Sequence, residues 1–338
     1  MSPELDLATI NQLVEHLNDL FELGAVKQFK LFEGGYMCQN YDLVSERGHF
    51  FLKQYRHRFS HRVSEMKKAE RFFAERGFPV ILPINDRHGR DTFWFQGNWY
   101  SLFPFIEAQS PKAHQLTPAI FESLAAMLAQ MHQVGLELDF SGSFYQLHLW
   151  NSDAFELEYI ELEQTLLARE QLNDLDREML ANLRLKRDII SRNKLKPSGF
   201  PLSNDRLLHG DFIYQNTFVD EQGAISHIYD FEKVCLGPRA YDLARAILIN
   251  CFDDGWTDKN FQQARIFLNA YRQIYPIDQE EFLSGLKMYL IHITHMTWME
   301  AKYILFGSRD YLRVYQANMS RIKHLSGHEL DFVRQIFI

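Results

Sequence analysis

The spacing of apolar residues changes about a third of the way along this 338-residue chain, and that change restricts the folds open to it. Up to residue 107 the chain reads as an amphipathic opening helix followed by strands. "KQFKLFE" and "YMCQNYDLV" flank Gly34-Gly35, and "GHFFLKQY" follows across a turn at Gly48. "DTFWFQGNWYSLFPFI" reads as a strand, a turn at Gly97-Asn98 and a second strand. One helix interrupts them. In "HRVSEMKKAERFFAERG" apolar residues fall at 63, 66, 69, 72 and 73, a helical spacing that stops at Gly77 before Pro79. From residue 108 the pattern is helical. "PAIFESLAAMLAQMHQVG" is a helix with Gly135 at its C-terminal end, and residues 151–192 are a long charged, leucine-spaced stretch. Residues 193–206 are a loop by composition, and the tail from 239 is nearly all helix. The expectation is an α+β chain in two parts. Residues 1–107 form a small antiparallel sheet of five or so strands with an inserted helix, and residues 108–338 form a larger, mainly helical part.

Composition narrows the function classes. With 46% hydrophobic and 14% aromatic residues the chain can bury a sizeable core, as a soluble globular protein does. A net charge of −8 gives no basic footprint for nucleic acid, and no apolar run has the length of a membrane span. The opening "MSPELDLATINQLVEHLNDL" lacks the basic and continuously apolar regions of a leader. Cys38, Cys235 and Cys251 are odd in number and scattered, which fits a reducing cytoplasm. The charge is uneven. Residues 1–107 hold 13 Lys and Arg against 14 Asp and Glu, and the rest of the chain holds 23 against 30. Oligomeric state is not legible.

The chemistry concentrates in "LLHGDFIYQN", residues 207–216. A carboxylate, Asp211, stands at the end of an apolar run, where burial costs it most, and Asn216 follows five residues later. A short strand, "TFVD", a turn, "EQGA", and a second strand, "ISHIYDF", then deliver Asp230. A hairpin there returns Asp230 close to Asn216. Mg²⁺ prefers oxygen ligands and keeps several waters, so one amide oxygen and one carboxylate suffice beside nucleotide phosphates. Asp211 can accept a proton from a substrate hydroxyl. The order is that of protein kinases: a catalytic-loop Asp, an Asn, then a metal-binding Asp beyond a hairpin.

With "HGDFIYQN", "YDFE" and "GPRAYDLA" together, the chain resembles the aminoglycoside phosphotransferase/choline kinase superfamily, the small-molecule relatives of protein kinases. The tail from 247 is loosely similar to bacterial homoserine kinases of that fold. The resemblance implies a bilobal protein-kinase-like fold, with residues 1–107 as the nucleotide-binding lobe and residues 108–338 as a helical lobe carrying the catalytic and metal-binding loops and the substrate cleft. It implies transfer of the γ-phosphate of ATP, with GTP open, to a hydroxyl of a small molecule with the help of Mg²⁺. The acceptors it suggests are amino alcohols, hydroxy amino acids such as homoserine, and aminoglycosides. It makes Asp211 the base or hydroxyl-orienting group and Asn216 and Asp230 the metal ligands. It puts Lys53, in "FFLKQY", on the nucleotide phosphates, oriented by a helix carboxylate. Glu65 is the first choice for that partner, because Ala69 and Phe72 share its helix face, and Glu70 is the second. Gly34 and Gly35 match the glycine-containing nucleotide loop. Phe105, in "LFPFIE", lies where the last strand runs into the interlobe hinge beside the nucleotide. Asp242 and His209 are read as braces of the catalytic loop. Glu232 stands where protein kinases have glycine, and the resemblance gives it no definite role. The competing class is a non-catalytic nucleotide-binding scaffold of the same fold.

Overall fold

The computed structural model describes residues 6–32, 38–55, 60–108, 110–137, 144–147, 150–193 and 196–338. The architecture is a bilobal α+β fold, with a small antiparallel sheet in the first lobe and a larger helical second lobe. The chain forms two compact units: one of residues 1–112, 139–145 and 209–234, the other of residues 113–138, 146–208 and 235–338.

The first unit opens with α1 (Leu7–Phe21), capped by Asp6, whose carboxylate accepts from Thr9 N at 2.7 Å. Strands β1 (Val26–Leu31), β2 (Cys38–Ser45) and β3 (Gly48–Tyr55) follow. Then come α2 (Ser60–Ala74), β4 (Phe93–Phe95) and β5 (Asn98–Pro104). The five strands pair antiparallel in the order β1-β2-β3-β5-β4. Side chains alternate between faces along a strand. One face packs Tyr41, Leu43, Leu52, Tyr100 and Leu102 against Leu13, Leu17 and Leu20 of α1 in a buried core. Each such leucine contributes roughly 1.5–3 kcal/mol. The same alternation sends Lys53, next to Leu52, to the opposite face. There Tyr55 and Phe103 lie under Lys67 of α2, whose ammonium is 5.2 Å and 4.6 Å from their ring centroids.

The second unit contributes α3 (Pro118–Val134), α4 (Ser152–Leu167) and α5 (Asp174–Arg192), so the leucine-spaced stretch 151–192 is a pair of helices. Strand β6 (Arg206–Leu208) leads back into the first unit, where β7 (Thr217–Val219) and β8 (Ile225–Ile228) form the expected hairpin. Strand β9 (Cys235–Gly237) then pairs with β6. The remainder is helical: α6 (Arg239–Phe252), α7 (Asp258–Ile274), α8 (Gln279–His295), α9 (Trp298–Phe306), α10 (Leu312–Leu325) and α11 (Glu329–Ile336). Helices α6 and α8 cross closely enough that a Cβ on Gly285 would sit 2.3 Å from Ala240 C, so this helical glycine is required by packing. Among the described residues no helix is long and apolar enough to cross a membrane.

Candidate active site

Residues 209–234 belong entirely to the first unit, together with Lys53. The loop after β6 turns on Gly210, at φ +75°, and a Cβ there would meet Lys233 O at 2.1 Å. Only glycine satisfies both the left-handed backbone and that close approach. His209 ties the loop to the end of the hairpin. Its Nδ1 accepts from Asp211 N at 3.2 Å, which leaves the proton on Nε2, and Nε2 donates to Tyr229 O at 3.1 Å. Both ring nitrogens are thereby committed, so His209 braces the loop as expected and has no free nitrogen to act as a base.

The hairpin closes as the sequence pattern requires. Asp220 Oδ1 accepts from Gln222 N and Ala224 N in the turn, and Thr217 faces Ile228 at the open end. One step further, Tyr229 N donates to Asn216 O at 3.1 Å, which holds the backbone before Asp230 against that of Asn216. Asn216 Nδ2 donates to Asp211 O at 2.9 Å. The amide is thus oriented by the loop that carries Asp211, and its oxygen accepts from no described group. Asp230 itself is left-handed, at φ 68° and ψ 63°. Aspartate tolerates that region better than most residues, yet it still costs about 1–3 kcal/mol, and such strain gathers at functional sites.

Lys53 meets this segment with two ion pairs. Its ammonium is 2.9 Å from Asp230 Oδ1 and 2.6 Å from Glu232 Oε1. Burial alone would lower the Lys53 value, but Asp230 and then Glu232 outweigh it and hold the group well above an ordinary lysine. Burial likewise works to raise the Asp230 value, and the Lys53 ammonium reverses it, so the carboxyl lies below the usual range. Lys233 forms a third pair, 2.7 Å from Asp211 Oδ2, with its own side chain 43% exposed. The buried Cys38 thiol lies in the same cluster. Burial pushes it well up, against the opposing pull of Lys53, so it stays protonated.

The helix carboxylates expected at Lys53 are engaged elsewhere. Glu70 is held by Lys67, one turn away on α2, through contacts of 2.8 Å and 2.7 Å in a buried pair. Glu65 accepts from Tyr145 N at 3.0 Å. Neither pairs with Lys53. The physical reason is that a lysine at i−3 reaches Glu70 without crossing to the sheet, while the segment after Asp230 supplies Lys53 with a nearer carboxylate. Helix α2 instead grips that segment from behind. Arg62 donates to Val234 O at 2.5 Å, and Phe73 packs on Phe231 with ring centroids 5.9 Å apart. The chain after α2 adds a short parallel bridge from Val80 to Ile228.

Phe105 is half-buried. It stacks on His49 with ring centroids 3.6 Å apart and planes 8° apart, and Phe32 lies nearly parallel to it at 6.4 Å. Gly34 and Gly35 lie outside the described residues. Asp242 belongs to the second unit, where its Oδ2 is 3.2 Å from His132 Nε2. Two site residues went unassigned in the sequence. Lys233 follows Glu232 in a loop where a lysine reads as a solvated charge, and nothing local marks it. Glu232 was visible in "YDFE", but its partner is on a strand far earlier in the chain.

The donor set fits Mg²⁺. Asn216 offers an amide oxygen and Asp230 a carboxylate 30% exposed, both hard oxygen ligands. Among the described residues no three His, Cys, Asp or Glu side chains form a self-sufficient cage, and an ion that keeps its waters does not need one.

Residues 28–277 match the model of a family described as the phosphotransferase enzyme family. The homoserine kinase of Phenylobacterium zucineum (strain HLK1) is 27% identical over 282 residues, covering 81% of this chain and 79% of that protein. The homoserine kinase of Caulobacter vibrioides (strain NA1000 / CB15N) is 25% identical over 275 residues, covering 80% and 81%. Among solved structures, the amicoumacin kinase hAmiN, in complex with AMP-PNP, Ca²⁺ and Ami, gives a TM-score of 0.64 at 13% identity, with 95% of this chain and 93% of that one covered. A microcompartment-associated aminopropanol kinase gives 0.63 at 16% identity, with 97% and 98% covered. A spectinomycin phosphotransferase, in complex with ADP and spectinomycin, gives 0.62 at 16% identity, with 97% of each covered. At these identities the structures speak to the fold.

Proposed function

Because this chain belongs to the phosphotransferase enzyme family, we propose that it transfers the γ-phosphate of ATP to a hydroxyl of a small molecule, and that its acceptor is a hydroxy amino acid such as homoserine. Amino alcohols and aminoglycoside-like compounds are the next acceptors to try. The observation that carries the reading is the convergence of Lys53, Asp211, Asn216 and Asp230 within one compact unit, with Lys53 paired to Asp230 at 2.9 Å. The choice of homoserine rests on the curated relatives that share about a quarter of the sequence.

The division of labour in this proposal gives the nucleotide to residues 1–107, and the metal, the base and the acceptor to residues 108–338. Lys53 binds phosphate oxygens, exchanging part of its carboxylate contact for them. Asn216 and Asp230 would hold Mg²⁺, which when bound supplies positive charge to the phosphates. Asp211 orients the acceptor hydroxyl and takes its proton at a carboxylate oxygen. Lys233 gives up its contact with Asp211 Oδ2 as the hydroxyl arrives, which its exposure permits. Catalysis then comes from positioning and charge neutralisation, with no covalent enzyme intermediate. The three free, buried cysteines accord with a cytoplasmic setting.

The test is ATP consumption measured against homoserine, other hydroxy amino acids, amino alcohols, choline-like amines, aminoglycosides and sugars. Stimulation by homoserine supports the reading in full. Stimulation by another hydroxylated compound keeps the chemistry and replaces the acceptor. Slow ATP loss that no compound stimulates overturns it in favour of a nucleotide-binding scaffold.

A further inference from the structure

We propose that Glu232 is the positioning residue for Lys53, doing from the metal-binding segment what a helix carboxylate does in protein kinases. The inference rests on the kinase reading above and adds a residue to it.

A phosphate-binding lysine needs a carboxylate that keeps its ammonium charged and aimed while other partners come and go. Asp230 cannot serve in that way if it holds the metal, because its oxygens then turn to the ion. Glu232 can. Its Oε1 lies 2.6 Å from the Lys53 ammonium, nearer than Asp230 at 2.9 Å. The Glu232 and Lys53 side chains are 8% and 11% exposed, whereas that of Asp230 is 30% exposed. The shielded carboxylate is thus the fixed partner and the open one the exchangeable partner. Both come from one short stretch, because Asp230 immediately precedes the 3-10 turn Phe231–Lys233 that carries Glu232.

Helix α2 offers no substitute. Its Glu70 is locked to Lys67 and its Glu65 to Tyr145 N. The helix acts on the site through Arg62 and Phe73, which fasten the stretch bearing Glu232. Lys53 is therefore oriented by the same segment that presents Asp230. Swinging α2 outward would disturb Lys53 only by loosening that segment.

The experiment measures KM for ATP at saturating Mg²⁺, the Mg²⁺ concentration giving half-maximal rate, and kcat. It does so for the full chain and for Lys53→Ala, Glu232→Gln, Glu232→Asp and Glu65→Gln. Glu232→Gln should raise the KM for ATP about tenfold or more, the loss of a charge-assisted hydrogen bond. It should leave the Mg²⁺ requirement unchanged, with Glu232→Asp recovering part of the loss and Glu65→Gln near wild type. A raised Mg²⁺ requirement with normal KM for ATP makes Glu232 a metal ligand and overturns the proposal. So does a Glu65→Gln variant that reproduces the Lys53→Ala defect while Glu232→Gln does not. If Lys53→Ala itself leaves the KM for ATP unchanged, the kinase reading fails first. A melt of each variant within a few degrees of wild type separates these outcomes from misfolding.

Discussion

The candidate-site cluster of the first unit and the core of the second use charge in opposite ways. In the first, Lys53, Lys233, Asp211, Asp230 and Glu232 pair with one another in a cluster that solvent still reaches. In the second, Lys186 and Glu300 are 1% and 0% exposed, and Lys186 also donates to Met296 O at 2.7 Å. His132 is sealed between Tyr271 at 2.8 Å and Asp242 at 3.2 Å. Removing one partner of a sealed pair strands a charge where nothing can replace it. Removing one partner of the open cluster leaves its neighbour a second carboxylate or water. The contrast teaches that the candidate site keeps an open partner in two of its pairs, Asp230 with Lys53 and Lys233 with Asp211, while the pair that fixes helices is closed on both sides.

The largest expected departure is catalytic. Asp211→Asn should lower kcat by roughly 10²–10⁴-fold while a thermal melt stays close to wild type. A fall of less than tenfold would remove Asp211 from the chemistry. The mirror image in the second unit is Glu300→Ala, which strands Lys186 and should cost about 3–5 kcal/mol of stability by denaturant titration. The double change Lys186→Met with Glu300→Leu, which leaves no charge to strand, should recover most of it. A Glu300→Ala variant that melts normally would show that the sealed pair is no more structural than the open one.

The same contrast marks what the sequence could convey. That the chain brings Asn216 beside Asp211 and the segment of Asp230 was readable because a loop and one short hairpin fix their spacing, and such local geometry follows from turn residues and strand alternation. The sheet and α2 were readable for the same reason. The partner of Lys53 was not. Helical periodicity says which face of α2 Glu65 occupies, but not that Glu70 is captured by Lys67 or that Tyr145 N takes Glu65. The carboxylates that Lys53 meets, Asp230 and Glu232, sit beyond a long intervening stretch, and no periodicity spans it. Lys233 was hidden for a simpler reason: a charged loop residue looks the same whether it meets water or Asp211.

Smaller effects sharpen the contrast further. Asp230→Ala should raise the Mg²⁺ concentration needed for half-maximal nucleotide binding roughly 10–100-fold. Equal affinities with and without Mg²⁺ in both proteins would withdraw Asp230 as a ligand. The smallest effect is a pH dependence in the sealed region. Burial holds His132 below the ordinary histidine value of 6.5, against the opposing pull of Asp242. The folded state therefore binds this proton less readily than the unfolded state. Its contribution to stability is full above pH 6.5 and is lost as pH drops from there towards the folded value. Denaturant titrations from about pH 8 down to about pH 5 should show that decline, and His132→Leu should flatten it. A wild-type profile that does not decline would mean that folding does not lower the His132 value.

The first unit is stitched from three separated stretches of chain, and this gives the molecule a timetable. Lys53 and Asp230 are 177 residues apart, which at roughly 5–20 residues per second is roughly 9–35 s of synthesis. The sheet emerges long before the segment that completes it, carrying a lysine whose carboxylates have yet to be made. Until then that face presents the Lys53 ammonium without the carboxylates of Asp230 and Glu232. The ion pairs that join Lys53 to Asp230 and Glu232 thus close only late in synthesis.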